Sequence, residues 1–360
     1  MKHVLLLILS VGILMGSCSK SGDDPEPELP TPIPEETLQS LTPTIIAGGQ
    51  ESSIDGTGTN ASFYLIMDIC VDKNENTYVL EYASNVSNHF KIRKVAIDKK
   101  VTTLFNGGVV EFDIDGQNAI STNKTSWHLN NLAIDAGGNI YVLGSTFDYT
   151  TRVSGSYVQE RGIFKLNQST SKLESYITAK STSPNVFATY AFDHFSTDGN
   201  GNFYCILNQG GLGKGEIYKL TQSGKDLIAT IDNMFDNVIF SDNSGNIYLN
   251  VQEGITKVNP QKQISSYYKF ETATTVSLNG KLTGDNSGNL IIYGQMFKST
   301  GEVLERGFYK VTKEGKKVHI GKTQHSLLQG KMVLSNSNQL IFAPNRVING
   351  GSVLMKLNLN

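Results

Sequence analysis

Asp135-Ala136-Gly137-Gly138-Asn139-Ile140-Tyr141 reads as a tight turn running into a strand, and the same unit recurs along the chain. It appears first as Asp72-Lys73-Asn74-Glu75-Asn76-Thr77-Tyr78, returns from Asp198 to Tyr204, Asp242 to Tyr248 and Asp285 to Ile291, and closes in degraded form from Ser335 to Ile341. The intervals between the six starts are 63, 63, 44, 43 and 50 residues. A period of about 40 to 50 residues, lengthened by insertions, is that of a propeller blade. The physics of the unit is that of a hairpin. Asp or Ser opens the turn by accepting backbone N–H groups two residues on, and a Gly or Asn near its end takes a left-handed conformation that most side chains resist. Apolar runs such as Leu132-Ala133-Ile134 precede the turn, and β-rich runs such as Ile247-Tyr248-Leu249 follow it.

A third strand follows each copy, with a basic residue set among apolar ones: Ile92-Arg93-Lys94-Val95, Phe164-Lys165-Leu166, Tyr218-Lys219-Leu220, Thr256-Lys257-Val258, Tyr309-Lys310-Val311 and Met355-Lys356-Leu357. Five copies add a fourth strand, as in Lys100 to Leu104 and Lys225 to Ala229; after the sixth the sequence stops at Asn360. Thr44-Ile45-Ile46-Ala47-Gly48-Gly49 is similar to the fourth-strand segment Val101 to Gly107 but precedes the first blade. If it pairs with Ser352 to Leu357, the ring closes and neither terminus leaves a bare sheet edge. The expected fold is all-β, a six-bladed β-propeller of four-stranded blades over residues 42–360, closed by the N-terminal strand.

Residues 1–17 have the order of a signal peptide: basic Met1-Lys2-His3, an apolar run from Val4 to Met15, then small residues. Leu14-Met15-Gly16-Ser17-Cys18 resembles a bacterial lipobox, which implies diacylation of Cys18; the alternative is an ordinary cleaved signal with a chance cysteine. Ser19 to Glu36 holds five prolines and six acidic residues, so 18–41 is expected to be an extended tether. Ser19-Lys20-Ser21-Gly22-Asp23-Asp24 looks like the acidic surface-export signals of some Gram-negative lipoproteins. The implied location is the outer membrane, lipid-anchored, at the cell surface.

A net charge of −2 over 360 residues speaks against a nucleic-acid partner, which leaves a basic footprint. Beyond Cys18 the cysteines are Cys70 and Cys205, on strands of different blades; two buried free thiols are expected rather than a disulfide. No segment keeps a 3.6-residue apolar period over several turns, so no long helix is expected.

Aligning the inner strands on the turn residue yields candidate site residues. Three positions before it stand Ile69, Leu132, Phe195, Ile239, Leu282 and Met332, a column for the core between blades. Four before it stand Asp68, Asn131, His194, Val238, Lys281 and Lys331, which alternation turns toward the axis. Eight before it stand Tyr64, Trp127, Tyr190, Met234, Ser277 and Leu327. Unbroken alternation would set these three aromatics on the same side as the polar ring, where aromatic faces beside carboxylate, amide and imidazole suit a sugar. Two readings of the ring stand: a ligand site, with Trp127 as stacking residue, or a channel that is polar because water fills it, with Tyr64, Trp127 and Tyr190 as plugs packing the loop that enters each blade. The two lysines favour an anionic ligand group, unless Asp68 partners them.

The first blade resembles an NHL repeat: Thr44 to Gly49, Asp55-Gly56-Thr57-Gly58-Thr59-Asn60-Ala61-Ser62-Phe63, Asp72 to Val79 and Phe90-Lys91-Ile92-Arg93-Lys94-Val95 carry the likeness, without the usual first-strand proline and glycine. That family implies the propeller. It includes binding scaffolds, and related propellers include metal-dependent lactonases and lyases. Lactonase-type sites converge Glu, Asn and Asp; here the ring offers Asp68 and Asn131 without a Glu. Lyase-type sites use several histidines; here His194 is in the ring and His128 near its rim. The loops at Asp72 and Asp198 lack the sixth-position glycine and the distal Glu of a calcium loop. No Gly-x-Ser-x-Gly elbow is present. Neither a catalytic residue, nor a metal site, nor a cofactor is assigned. The expected function is a non-catalytic binding module, with carbohydrate as ligand; the alternatives are a metal-dependent lactonase or lyase around Asp68, Asn131 and His194, and a scaffold presenting loops 107–126 and 147–162 to a protein partner.

Overall fold

The computed structural model describes residues 41–84, 89–108, 125–148, 158–181, 192, 194–208, 214–251, 254–269, 275–285, 287–297, 303–322, 330–344 and 351–359, and of 158, 181, 208, 235–238, 275–281, 295–297, 303–306 and 322 only the backbone. Cys18, the leader and most of the tether lie outside these residues, as do Tyr190 and the side chains of Val238 and Lys281.

Six antiparallel sheets run in chain order. Blade 1 comprises Leu65–Val71, Thr77–Tyr82, Phe90–Val95 and Lys100–Asn106, with Gly56–Thr57 added at its outer edge. Blade 2 comprises Thr125–Ile134, Ile140–Asp148, Val158–Asn167 and Lys172–Ser181; blade 3, His194–Thr197, Phe203–Asn208, Gly215–Thr221 and Gly224–Ile231. Blade 4 comprises Met234–Ser241, Ile247–Val251, Gly254–Val258 and Ile264–Lys269; blade 5, Thr275–Gly284, Leu290–Phe297, Val303–Val311 and Lys317–Lys322. Blade 6 takes Lys331–Leu334, Gln339–Ala343 and Val353–Asn358 from the end of the chain and Thr44–Gly48 from its beginning. The expected closure is thus observed, with Thr44 opposite Lys356 and Gly48 opposite Val353. Among the described residues the helical structure is one 3-10 turn, Gly58–Asn60.

The recurring unit explains why every blade turns where it does. In blade 1 Asp72 Oδ1 accepts the N–H groups of Asn74 and Asn76 at 2.8 and 2.9 Å, and Oδ2 accepts the Asn76 amide at 2.8 Å and the Tyr78 hydroxyl at 3.0 Å. Asp135, Asp198 and Asp242 receive the same Asn and Tyr donors. The fourth residue of each unit is left-handed: Glu75, Gly138, Gly201, Gly245, Gly288 and Asn338 all have φ between 60° and 85°. Glu75 is the costly choice there, and it is held by its neighbour across the closure, since its carboxylate accepts the Ser337 N–H and hydroxyl at 3.0 and 2.9 Å.

Side chains of the second strands alternate toward the blade before and the blade after, so each junction encloses one apolar cluster. Tyr78 and Leu80 meet Leu132 and Ile140 between blades 1 and 2; Ile46, Ile341 and Leu354 meet Phe63 and Val79 where blade 6 meets blade 1. The column Ile69, Leu132, Phe195, Ile239, Leu282 and Met332 is buried throughout, as expected. Cys70 and Cys205 are buried free thiols, and burial raises both thiol pKa values well above the ordinary range.

Blade 1 also encloses an ion-pair network. Arg93, 0% exposed, donates to Glu81 Oε2 at 2.6 Å and to Asp55 Oδ1 at 3.0 and 2.7 Å. Glu81 accepts in addition the Tyr64 N–H at 2.7 Å and the Ser53 hydroxyl at 3.0 Å. This network straps the segment between the closing strand and blade 1 onto that blade.

Candidate functional site

Inner strands of all six blades surround an axial channel of about 660 Å³, within the range of small-molecule pockets. Asp68, Asn131, His194 and Lys331, from four different blades, line it. Three of them form a continuous arc. The Asn131 amide donates toward Asp68 Oδ2 at 3.5 Å and contacts His194 Nδ1 at 3.1 Å, so that nitrogen acts as acceptor and the proton sits on Nε2. Asp68 Oδ2 also accepts the Leu132 N–H at 2.8 Å, which fixes the carboxylate across the junction between blades 1 and 2. Asn131 is 4% exposed and its Oδ1 has no hydrogen-bond partner, an unfilled acceptor in a wall where such groups are ordinarily paired.

Cross-blade bonds of the same kind hold the rest of the wall. The Ser196 hydroxyl accepts the Ser241 N–H at 3.0 Å, and Thr283 Oγ1 accepts the Leu334 N–H at 3.2 Å. At the mouth formed by the turns stand Asn243, Asp285, Ser335 and Asn338.

Tyr64 and Trp127 lie outside the channel lining. Trp127 packs edge-on between Phe105 and Phe164, ring centroids 5.7 and 5.2 Å away, in the junction of blades 1 and 2. The reason is a β-bulge. The register shifts between Leu129 and Asn131 in blade 2 and between Ile66 and Asp68 in blade 1; one extra residue reverses the alternation for everything upstream of it. The aromatics therefore face away from the polar ring, and the phenyl rings that the lining does hold are Phe195 and Phe240, in a wall otherwise rich in hydrogen-bonding and charged groups. His128 is exposed and outside the lining.

Among the lining residues that the inner-strand columns did not single out is a second lysine, Lys310. Third-strand lysines lie above the turn-capping tyrosines in blades 1, 2 and 4: Lys94 Nζ is 5.8 Å from the Tyr78 ring centroid, Lys165 5.7 Å from Tyr141 and Lys257 5.7 Å from Tyr248. Blade 5 has Ile291 opposite Lys310, without a ring to cover, and Lys310 lines the channel. Loss of Tyr is not a sufficient signal, since blade 6 sets Ile341 opposite Lys356 and Lys356 lies outside the lining. Among the described residues no group of three His, Cys, Asp or Glu side chains is placed to hold a metal ion.

No protein-family profile matches the chain and no curated protein matches it. Solved structures do. A structural-genomics protein of unknown function from Bacteroides thetaiotaomicron superposes with a TM-score of 0.51 at 11% identity, over 88% of this chain and 75% of its own. The calcium-binding protein regucalcin from Agrobacterium tumefaciens gives 0.50 at 9% identity, over 88% and 94%. A gluconolactonase from Xanthomonas campestris gives 0.46 at 10% identity, over 82% and 86%. At such identities the likeness to the first two is one of fold alone.

Proposed function

We propose that this chain is an NHL-like propeller acting as a non-catalytic binding module, anchored to the outer membrane through lipid on Cys18, that takes a small polar ligand in its central channel. The observation that carries the reading is the arc Asp68–Asn131–His194, three polar side chains from consecutive blades bonded to one another around the axial channel. Within the arc Asn131 Oδ1 is left without a protein donor, an acceptor open to a ligand's donor. Carbohydrate remains within this class, recognised through its hydroxyls.

The test is a thermal-shift and calorimetric screen of small polar solutes against residues 41–360, wild type beside Asn131→Leu, which fills the same space and removes the arc. A ligand that binds the wild type and is lost in the variant supports the reading. Elemental analysis after dialysis belongs to the same experiment: one equivalent of a divalent metal, lost in Asp68→Ala, would sink the non-catalytic reading in favour of a metal-dependent lactonase or lyase. Binding of a protein partner that survives both substitutions would point instead to a scaffold. Lipid anchoring is checked by Cys18→Ser, expected to release the protein from the membrane fraction.

A further inference from the structure

We infer that the ligand of the channel is a small oxyanion, a molecule carrying a carboxylate or phosphate group; this rests on the binding-module reading above and narrows it. The described lining contains two carboxylates and two ammonium groups, and they are treated differently by the protein. Asp68 is engaged by the Leu132 N–H and the Asn131 amide. Asp285 accepts the N–H groups of Ser287 and Asn289 at 2.9 and 2.8 Å and the Asn289 amide at 2.7 Å. Both carboxylates are therefore committed to holding the fold, one across a blade junction and one inside a turn.

Neither Lys310 nor Lys331 has a hydrogen-bond acceptor or carboxylate partner among the described residues, although both are half-buried in the channel wall. The partnership between Asp68 and the ring lysines that the sequence left open is not formed with Lys331. A lysine head presents three donors and no acceptor. The formal charges of the described lining sum to zero, so the attraction is local: each ammonium head, with no carboxylate in ion-pair reach among the described residues, offers unmatched donors to an anionic group placed beside it. The two lysines belong to neighbouring blades and stand at different depths: Lys331 opens the inner strand of blade 6, level with Asp68, Asn131 and His194, while Lys310 comes in from the third strand of blade 5. A ligand with an anionic group at one end would meet one lysine, and its polar remainder would meet the Asp68–Asn131–His194 arc.

The test is calorimetric titration of residues 41–360 with citrate, inorganic phosphate, glucuronate and glucose 6-phosphate beside neutral glucose and glycerol, at low and high salt, repeated on Lys331→Gln and Lys310→Gln. Circular dichroism confirms that the variants fold. The expected result is that at least one oxyanion binds tenfold or more tighter than its neutral counterpart. That binding should weaken with salt and fall about tenfold with the loss of the lysine it pairs. Phosphate and carboxylate probes separate the two anion types. If glucose binds as tightly as its charged analogues and both lysine variants leave binding unchanged, the oxyanion inference is overturned while the channel reading stands, provided Asn131→Leu still abolishes binding. Oxyanion binding indifferent to both lysines, or no oxyanion binding at all, overturns it too. The channel reading itself fails only if no solute responds to Asn131→Leu.

Discussion

Removing the Arg93 side chain should test the architecture at its most heavily bonded point. In Arg93→Leu, Glu81 stays at 0% exposure with only the Tyr64 N–H and the Ser53 hydroxyl as donors. The Asp55 arm matters less, because that side chain is 48% exposed and turns to water. Deleting one member of a buried pair costs about 3–5 kcal/mol, mainly through the charge left behind. Against a total of roughly 5–15 kcal/mol for a folded domain, that is a large loss. The pH dependence identifies its origin. Burial already pushes the Glu81 pKa above the ordinary glutamate value, with Arg93 pulling it back down, so it rises further in the variant. The folded variant then binds a proton that the unfolded chain releases near pH 4.3, and its stability falls as pH rises from there through the folded pKa. The deficit relative to wild type should be larger at pH 8 than at pH 5. Adding Glu81→Gln should restore about half of it, since a neutral amide needs no counter-ion. The assay is urea unfolding followed by the emission of Trp127, the single tryptophan of the chain, which reports from blade 2 on its contact with Phe105 of Arg93's blade. A loss below about 1 kcal/mol, or equal losses at both pH values in the single and double variants, would refute the reasoning.

Other outcomes follow from the same structure. Trp127→Ala should lower stability by about 3 kcal/mol, as for a large aromatic removed from a core, and leave channel binding intact in the solute screen; loss of binding without loss of stability would contradict its place between blades. At Glu75, φ is 64°, so Glu75→Ala keeps the left-handed strain and loses both Ser337 bonds, whereas Glu75→Gly loses the bonds and the strain. The glycine variant should melt higher than the alanine variant, by about 1 kcal/mol in stability. Burial opposes ionisation of Asp72, but bonds from Asn76, Tyr78 and the Asn74 N–H outweigh it and hold its pKa below the ordinary value. Its contribution is full above about pH 4 and lost as pH falls through the folded pKa, so acid titration of Asp72→Asn should show a shallower decline than wild type.

Much of the fold was readable because its defining unit is local. A carboxylate and an asparagine four residues on, joined in four of the six units by a tyrosine six residues on, make the turn by themselves, so the residue types reveal it, and the closing strand followed from a count of strands. The polar ring was readable near the turn, where alternation is unbroken: Asp68, Asn131, His194 and Lys331 are where the period of two puts them. Upstream it was not, because a bulge needs no special residue. Met67 and Asn130 bear no mark distinguishing them from ordinary strand residues, yet the register shift around them sends Tyr64 and Trp127 to the other face. The Arg93 network was hidden in a different way. Arg93 and Lys94 look like one basic signature, but they alternate. Lys94 covers Tyr78, while Arg93 points inward to Glu81 on the neighbouring strand and to Asp55, which is 38 residues away in sequence.

The closing strand also sets how the ring would respond to force. Thr44 lies opposite Lys356 and Gly48 opposite Val353, so the chain enters and leaves the pair at the same end. A pull between the termini loads these hydrogen bonds one after another, as in a zipper, instead of all together in shear. The blade that completes the propeller is therefore its mechanical fuse: tension between the two ends of this pair would peel Thr44–Gly48 first and open the ring at the junction of blades 6 and 1, while blades 2 to 5, each built from one continuous stretch of chain, would carry no load until that strand had gone.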